Sequence, residues 1–186
     1  MSTHVVVMGV SGSGKTTVAA MLAARLGYTF GEADAFHPQA NVDKMAAGQP
    51  LTDDDRWGWL ADLASWMRHE ASQSRSTVLA CSALKRSYRD VLNSGTDHGC
   101  LYIHLHGDAS LIAQRMAARS HFMPPTLLKS QLATLEPLAL DERGIQLNLD
   151  QTPDELTAQS LAWLRTQDGR AGHADSPGPP GSAEWR

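Results

Sequence analysis

Eight consecutive residues, Gly9-Val10-Ser11-Gly12-Ser13-Gly14-Lys15-Thr16, satisfy every fixed position of the pattern G-x-x-x-x-G-K-[ST]. Each fixed residue type serves to hold phosphate. The glycines permit a turn tight enough for backbone N–H groups to face phosphate oxygens. A helix that starts at the lysine aims its positive end at the same anion. Lys15 can reach the β- and γ-phosphates, and the Thr16 hydroxyl can ligate Mg²⁺. Thr17 follows in the same turn and joins the residues expected around the nucleotide. The pattern implies ATP with Mg²⁺, but it does not name a reaction, because switches, motors and kinases share it.

Such a loop needs a strand before it and a helix after it. Val5–Met8 is a short β-branched run that reads as a buried strand. From Lys15 to Leu26, the residues Val18, Met21, Leu22 and Leu26 recur at helical spacing, and Gly27 supplies a stop. A second, short strand is expected at Tyr28–Phe30, ending near Asp34, and further strands at Thr77–Cys81, Leu101–Leu105 and Ile145–Leu149. Helices are expected at Asn41–Ala47, from Thr52 to about Glu70, and at Lys85–Leu92, Asp108–Ala118 and Thr126–Leu135. Thr52 reads as an N-cap, with Asp53, Asp54 and Asp55 in the favourable first turn. Thr152-Pro153-Asp154-Glu155 is a capping box that opens a last helix to about Arg165.

Strands alternating with helices imply an α/β fold, a five-stranded parallel sheet covered on both faces. Ligands in such sheets bind at the carboxyl ends of the strands. The loop Gly9–Thr16, Asp34 and the segment Cys81–Lys85 all fall at such ends and should converge on one cleft. The tryptophans Trp57, Trp59 and Trp66 fit a helix packed on the core better than a sugar-stacking surface.

The chain of 186 residues suits one domain with a sizeable core, expected over 1–167. The tail 168–186 is rich in Gly, Pro, Ser and Ala and is expected to be disordered. A net charge of −4 argues against nucleic acid as a partner. Cys81 and Cys100, each flanked by apolar residues, read as buried reduced thiols. The eight histidines show no paired metal-ligand spacing. No apolar run nears the length of a membrane span, and Val5–Val10 lacks the basic flank of a signal peptide, so the expected location is the cytoplasm.

Four blocks carry a family resemblance. The first is Met8-Gly9-Val10-Ser11-Gly12-Ser13-Gly14-Lys15. The second is Glu32-Ala33-Asp34, followed by His37-Pro38, Asn41, Lys44-Met45, Gly48, Pro50-Leu51 and Asp53-Asp54-Asp55-Arg56. Cys81-Ser82-Ala83-Leu84-Lys85 with Tyr88-Arg89-Asp90 is the third. The fourth comprises His121-Phe122-Met123-Pro124, Leu127-Leu128, Ser130-Gln131 and Leu135-Glu136-Pro137. In this order and spacing, from about Val5 to Leu164, the chain resembles the gluconokinases. The resemblance implies a three-layer P-loop fold of the NMP-kinase type with a small lid over ATP. It also implies transfer of the γ-phosphoryl group to the primary hydroxyl of D-gluconate, giving 6-phosphogluconate and ADP, by a homodimer.

Transfer to an alcohol needs a group that orients the hydroxyl and accepts its proton, and cations that hold the spreading phosphate charge. Asp34 is the candidate acceptor and could also order water around Mg²⁺; its other reading is a turn cap. Gluconate carries a carboxylate and five hydroxyls. Arg56, Lys85 and Arg89 are therefore its candidate cations, with His37 and Ser82 as polar contacts. Lys85 and Arg89, four apart, could share a helix face. The lid is expected at about 115–126, with Arg115 stacked on adenine and Arg119 on the phosphates; the alternative is a pair of cations complementing a helix end. Catalysis would thus rest on Lys15, Asp34 and Arg119.

The chain departs from the family pattern at four places. Ala33 stands where a glycine is usual, Gly58 where a proline is usual, and one residue rather than two separates Arg119 from His121. No aspartate closes the third strand, so Thr16 and ATP are left as the main expected supports of Mg²⁺. Two other readings compete. A kinase of the same fold for shikimate, adenylyl sulfate or a nucleoside monophosphate would lack the blocks His37–Arg56 and Cys81–Lys85. A nucleotide-dependent switch would have no use for Asp34, a cationic cleft and a lid.

Overall fold

The computed structural model describes residues 2–117 and 125–171. Its five strands are β1 (His4–Met8), β2 (Thr29–Glu32), β3 (Thr77–Ala80), β4 (Leu101–His106) and β5 (Gly144–Asn148). Its α-helices are α1 (Lys15–Leu26), α2 (Gln39–Ala46), α3 (Asp53–Ser72), α4 (Arg86–Asn93), α5 (Ala109–Ala117), α6 (Pro125–Thr134) and α7 (Pro153–Ala171). All strand pairs are parallel, in the order β2-β3-β1-β4-β5. The central β1 aligns Val6 with Leu79 on one side and with Tyr102 on the other.

Successive side chains of a strand point to opposite faces, and here they divide the core into two layers. Val5 and Val7 pack with Val18, Ala19 and Leu22 of α1 and Leu156 and Leu164 of α7. Val6 and Met8 pack with Leu60, Leu63 and Met67 of α3, Tyr88 and Leu92 of α4, and Ile112, Met116 and Leu128 of α5 and α6. A strand buried on both faces cannot alternate apolar with polar, which is why β1 reads as an unbroken apolar run.

The expected caps form. Thr52 Oγ1 accepts from Asp55 N–H while the Asp55 carboxylate accepts from Thr52 N–H. Thr152 and Glu155 exchange the same pair at the start of α7. Gly58 does not disturb α3, and open space surrounds the position of its missing Cβ. The second strand runs on to Glu32 and passes into a short 3₁₀ turn, Ala33–Phe36, which the sequence reading did not anticipate. Ala33 does not have positive φ, so alanine fits this turn without strain.

Helix α7 runs to Ala171, past the boundary expected at 167. Residues 172–186 lie outside the described residues, as do residues 118–124 of the lid expected at about 115–126, with Arg119 and His121.

Candidate active site

The loop Gly9–Gly14 leaves the carboxyl end of β1 and enters α1 through Gly14, whose φ of 91° is left-handed. Gly12, also left-handed at 82°, lies under α5, where a Cβ would come 2.4 Å from Met116 Cγ. A side chain there would have to displace Met116, and the left-handed φ would strain it in any case. Lys15 folds its ammonium toward the loop and donates to the Val10 carbonyl at 3.0 Å. Ser13 Oγ is fully buried and has no hydrogen-bond partner among the described residues. An unpartnered hydroxyl in a ring of loop amides suits an anion that supplies acceptors.

The Thr16 hydroxyl donates to Glu32 Oε2 at 2.7 Å. This carboxylate stands beside the hydroxyl expected to bind the metal, and β3 ends without one of its own. In the sequence, Glu32 carries only the family resemblance. Its signal was its place at the end of a strand next to the P-loop strand's partner, two residues before Asp34.

One cleft gathers Ser11 and Lys15 from the loop, Asp34 and His37 from the 3₁₀ turn and its exit, and Arg56 and Trp59 from α3. Ser82 joins from the segment after β3, and Leu127, Ser130, Gln131 and Thr134 close the cleft from α6. Asp34 presents an exposed carboxylate to it, with Oδ1 3.9 Å from His37 Nε2. The His37 ring stacks on Trp59 at 4.2 Å between centroids, with planes 16° apart. Trp59 Nε1 donates to the Ala33 carbonyl at 2.7 Å, which ties α3 to the turn that carries Asp34. Burial holds the His37 pKa below the ordinary imidazole value, against the opposing pull of Asp34, so the ring is neutral at pH 7. Trp59 therefore packs in the core, as expected, and also backs a cleft residue.

Arg56 reaches the cleft anchored by one nitrogen. Its Nη1 donates to Leu51 O at 2.6 Å and lies 3.3 Å from Tyr88 Oη. Asn41 Nδ2 donates to the Asp55 carbonyl at 2.7 Å and lies 3.3 Å from His37 Nδ1, a bridge between α2, α3 and the site.

Two of the expected cations are engaged with carboxylates of the chain. Lys85 is the residue before α4, outside the cleft lining, and its ammonium is 2.9 and 2.7 Å from the two oxygens of Asp53. Arg89 is fully buried. Its Nε and Nη2 meet the Glu142 carboxylate at 2.6 and 2.9 Å, and Nη1 donates to the carbonyls of Ala83 and Glu136 at 3.0 and 3.2 Å. Its donors serve the protein's own chain. Lys85 and Arg89 consequently do not act as one face. Asp53 and Asp55 likewise do more than cap α3: Asp53 binds Lys85 and Tyr88, and Asp55 binds Lys44 at 2.6 Å.

Arg115 Nη2 donates to the Leu149 carbonyl at 2.7 Å, which joins α5 to the segment after β5. The cysteines match expectation: both thiols are free and buried, and burial pushes each pKa up to about 12.

A parallel sheet in this order, with a phosphate loop after its central strand and a cleft beside it that holds Asp34 and Arg56, defines a P-loop kinase. Residues 5–138 match a family described as an AAA domain. A gluconokinase from Gluconobacter oxydans (strain 621H) is 48% identical over 164 residues, which cover 88% of this chain and 92% of that protein. The crystal structure of a gluconokinase from Sinorhizobium meliloti 1021 superposes with a TM-score of 0.85 at 41% identity, over 94% of this chain and 98% of the other. A sugar kinase structure from Janibacter sp. HTCC2649 gives the same TM-score at 54% identity, over 89% and 95% of the two chains. The chain belongs to the gluconokinase family.

Proposed function

We propose that this protein transfers the γ-phosphoryl group of ATP to the primary hydroxyl of D-gluconate, giving 6-phosphogluconate and ADP. The observation that carries this reading is a single cleft in which the P-loop residues Ser11 and Lys15 face Asp34, His37 and Arg56. Donor phosphate and polyol acceptor can meet there.

Asp34 orients the hydroxyl and takes its proton as the new O–P bond forms and the bond to the ADP oxygen breaks. Its openness to the cleft suits a group that must reach a bound hydroxyl. Lys15 and the loop amides hold the phosphates, and Arg119, from the lid, adds charge at the transferred group. Arg56, with one nitrogen fixed and the rest of its fork available, takes the gluconate carboxylate. His37 and Ser82 bond hydroxyls, and the apolar faces of Leu51 and Leu127 lie along the carbon chain. Arg115, fixed against the segment after β5, presents its guanidinium plane to adenine.

The Thr16 hydroxyl and Glu32 carboxylate are hard oxygen donors of the kind Mg²⁺ takes, and they fit a metal held chiefly by ATP oxygens and water. Mg²⁺ bound there neutralises phosphate charge. The kinase domain extends through α7 and includes the lid. No described helix is long and apolar enough to cross a membrane. We place the enzyme in the cytoplasm as a homodimer, with no nucleic-acid partner.

The test is ADP release by the purified protein with ATP and Mg²⁺, comparing gluconate with shikimate, glucose, adenylyl sulfate, AMP and no acceptor. Release that depends on gluconate is the expected result. Release with another acceptor, or with none, overturns the assignment.

A further inference from the structure

Gln131 of α6 has no part in the chemistry above, yet it grips the P-loop with both ends of its carboxamide. Its Oε1 accepts from Ser11 N–H at 2.7 Å, and its Nε2 donates to Ser11 Oγ at 3.1 Å. The two residues are 120 apart in sequence, so this is a bond between separate walls of the cleft rather than a local turn. Ser11, Lys15, Asp34 and Gln131 line the same cavity. The grip therefore lies at the acceptor end of the loop, where a γ-phosphate must sit if it is to be transferred.

A loop N–H that faces this cavity is a donor meant for phosphate. Here a neutral amide oxygen takes its bond. An anionic phosphate oxygen accepts roughly twice as strongly as a neutral one. A triphosphate can therefore displace Gln131 from Ser11, whereas a diphosphate, which places no group at this end, leaves the grip closed.

We propose that Gln131 is a positioning residue that sets the discrimination between ATP and ADP by holding Ser11 until a γ-phosphate displaces it. Ser130 and Thr134 of the same helix also line the cleft, so the exchange is felt at the acceptor site. The proposal rests on nucleotide binding at the P-loop and not on the identity of the acceptor.

Calorimetric titration of the full chain with Mg²⁺ and either AMPPNP or ADP, without acceptor, tests it in wild type, Gln131→Met and Gln131→Glu. Methionine keeps the bulk and removes the competing bonds. The affinity for AMPPNP relative to ADP should rise roughly three- to tenfold. Glutamate gives Ser11 an anionic partner and repels the γ-phosphate, so the same ratio should fall by about tenfold or more. A residue that only stiffens the loop would weaken both nucleotides together and leave the ratio alone. An unchanged ratio in either folded variant, or shifts of the same sign in both, overturns the proposal. If the methionine variant does not fold, the direction of the glutamate ratio decides.

Discussion

Arg89 Nη1 donates to the carbonyl of Ala83 at 3.0 Å, and Ala83 has a φ of 43°, one of two non-glycine residues with left-handed φ among those described. An alanine in that region is strained and persists only where its surroundings hold it. Ala83 directly follows Ser82, a residue of the cleft. The buried guanidinium thus fixes the backbone that presents Ser82, and Glu142 neutralises it from the far side.

Replacing Arg89 with methionine should therefore act on the fold before it acts on gluconate. It leaves the Glu142 carboxylate buried without its cation and frees several carbonyls, which costs about 3–5 kcal/mol. Urea denaturation should show a large drop in midpoint. If Arg89 were a direct ligand, the midpoint would hold and only acceptor binding would fail.

Asp34 behaves oppositely. Its side chain is 81% exposed and Oδ1 lies 3.9 Å from His37 Nε2, beyond hydrogen-bond distance of a ring that is neutral at pH 7, so the fold gains little from it. Asp34→Asn should leave stability within about 0.5 kcal/mol of wild type. kcat should fall by roughly 10²–10⁴, with nucleotide affinity intact. Steady-state rates and a nucleotide titration on one preparation separate the two effects. Near-normal turnover would remove Asp34 from proton transfer.

The contrast between these residues shows where sequence reasoning stops. The P-loop, the Thr52 cap and the apolar strands follow from local pattern, because glycine freedom, capping and burial on both faces act within a few residues. Arg89, Lys85 and Gln131 owe their roles to partners 53, 32 and 120 positions away. A cation four residues from another on a helix looks the same whether it faces a ligand or a buried carboxylate. Asp34 lies two residues past the end of β2, close enough in sequence for its place at the cleft to be read. Glu32 lies near the expected end of β2, but its contact with Thr16, 16 positions away, depends on where the sheet places that strand, which local pattern does not show.

Glu32→Gln tests that contact. The Thr16–Glu32 bond supplies the carboxylate that the end of β3 lacks. Removing its charge should raise the Mg²⁺ concentration for half-maximal turnover by about 10- to 100-fold. It should also weaken ADP binding in the presence of Mg²⁺ and not in its absence. Calorimetry with and without the metal reads the second effect independently of turnover. Equal ADP affinities in variant and wild type under both conditions would leave the metal to Thr16 and nucleotide oxygens alone.

His104 in β4 is 2% exposed, and neither ring nitrogen has a hydrogen-bond partner among the described residues. Burial, helped by His106 and Arg89, pushes its pKa down to about 4. The unfolded chain takes up this proton as pH falls below the ordinary value of 6.5, whereas the folded chain does not until about 4. Between those values the unfolded state binds more protons, so stability must decline as pH falls, by about 2 kcal/mol from pH 7 to pH 5 for this one group. His104→Phe keeps a ring in the same layer and removes the titration. Its denaturation midpoint should fall less than that of wild type between pH 7 and pH 5. The depressed histidines His4 and His37 remain in both proteins and cancel in the difference. Equal declines in the two proteins would mean that His104 finds a proton acceptor in the folded chain.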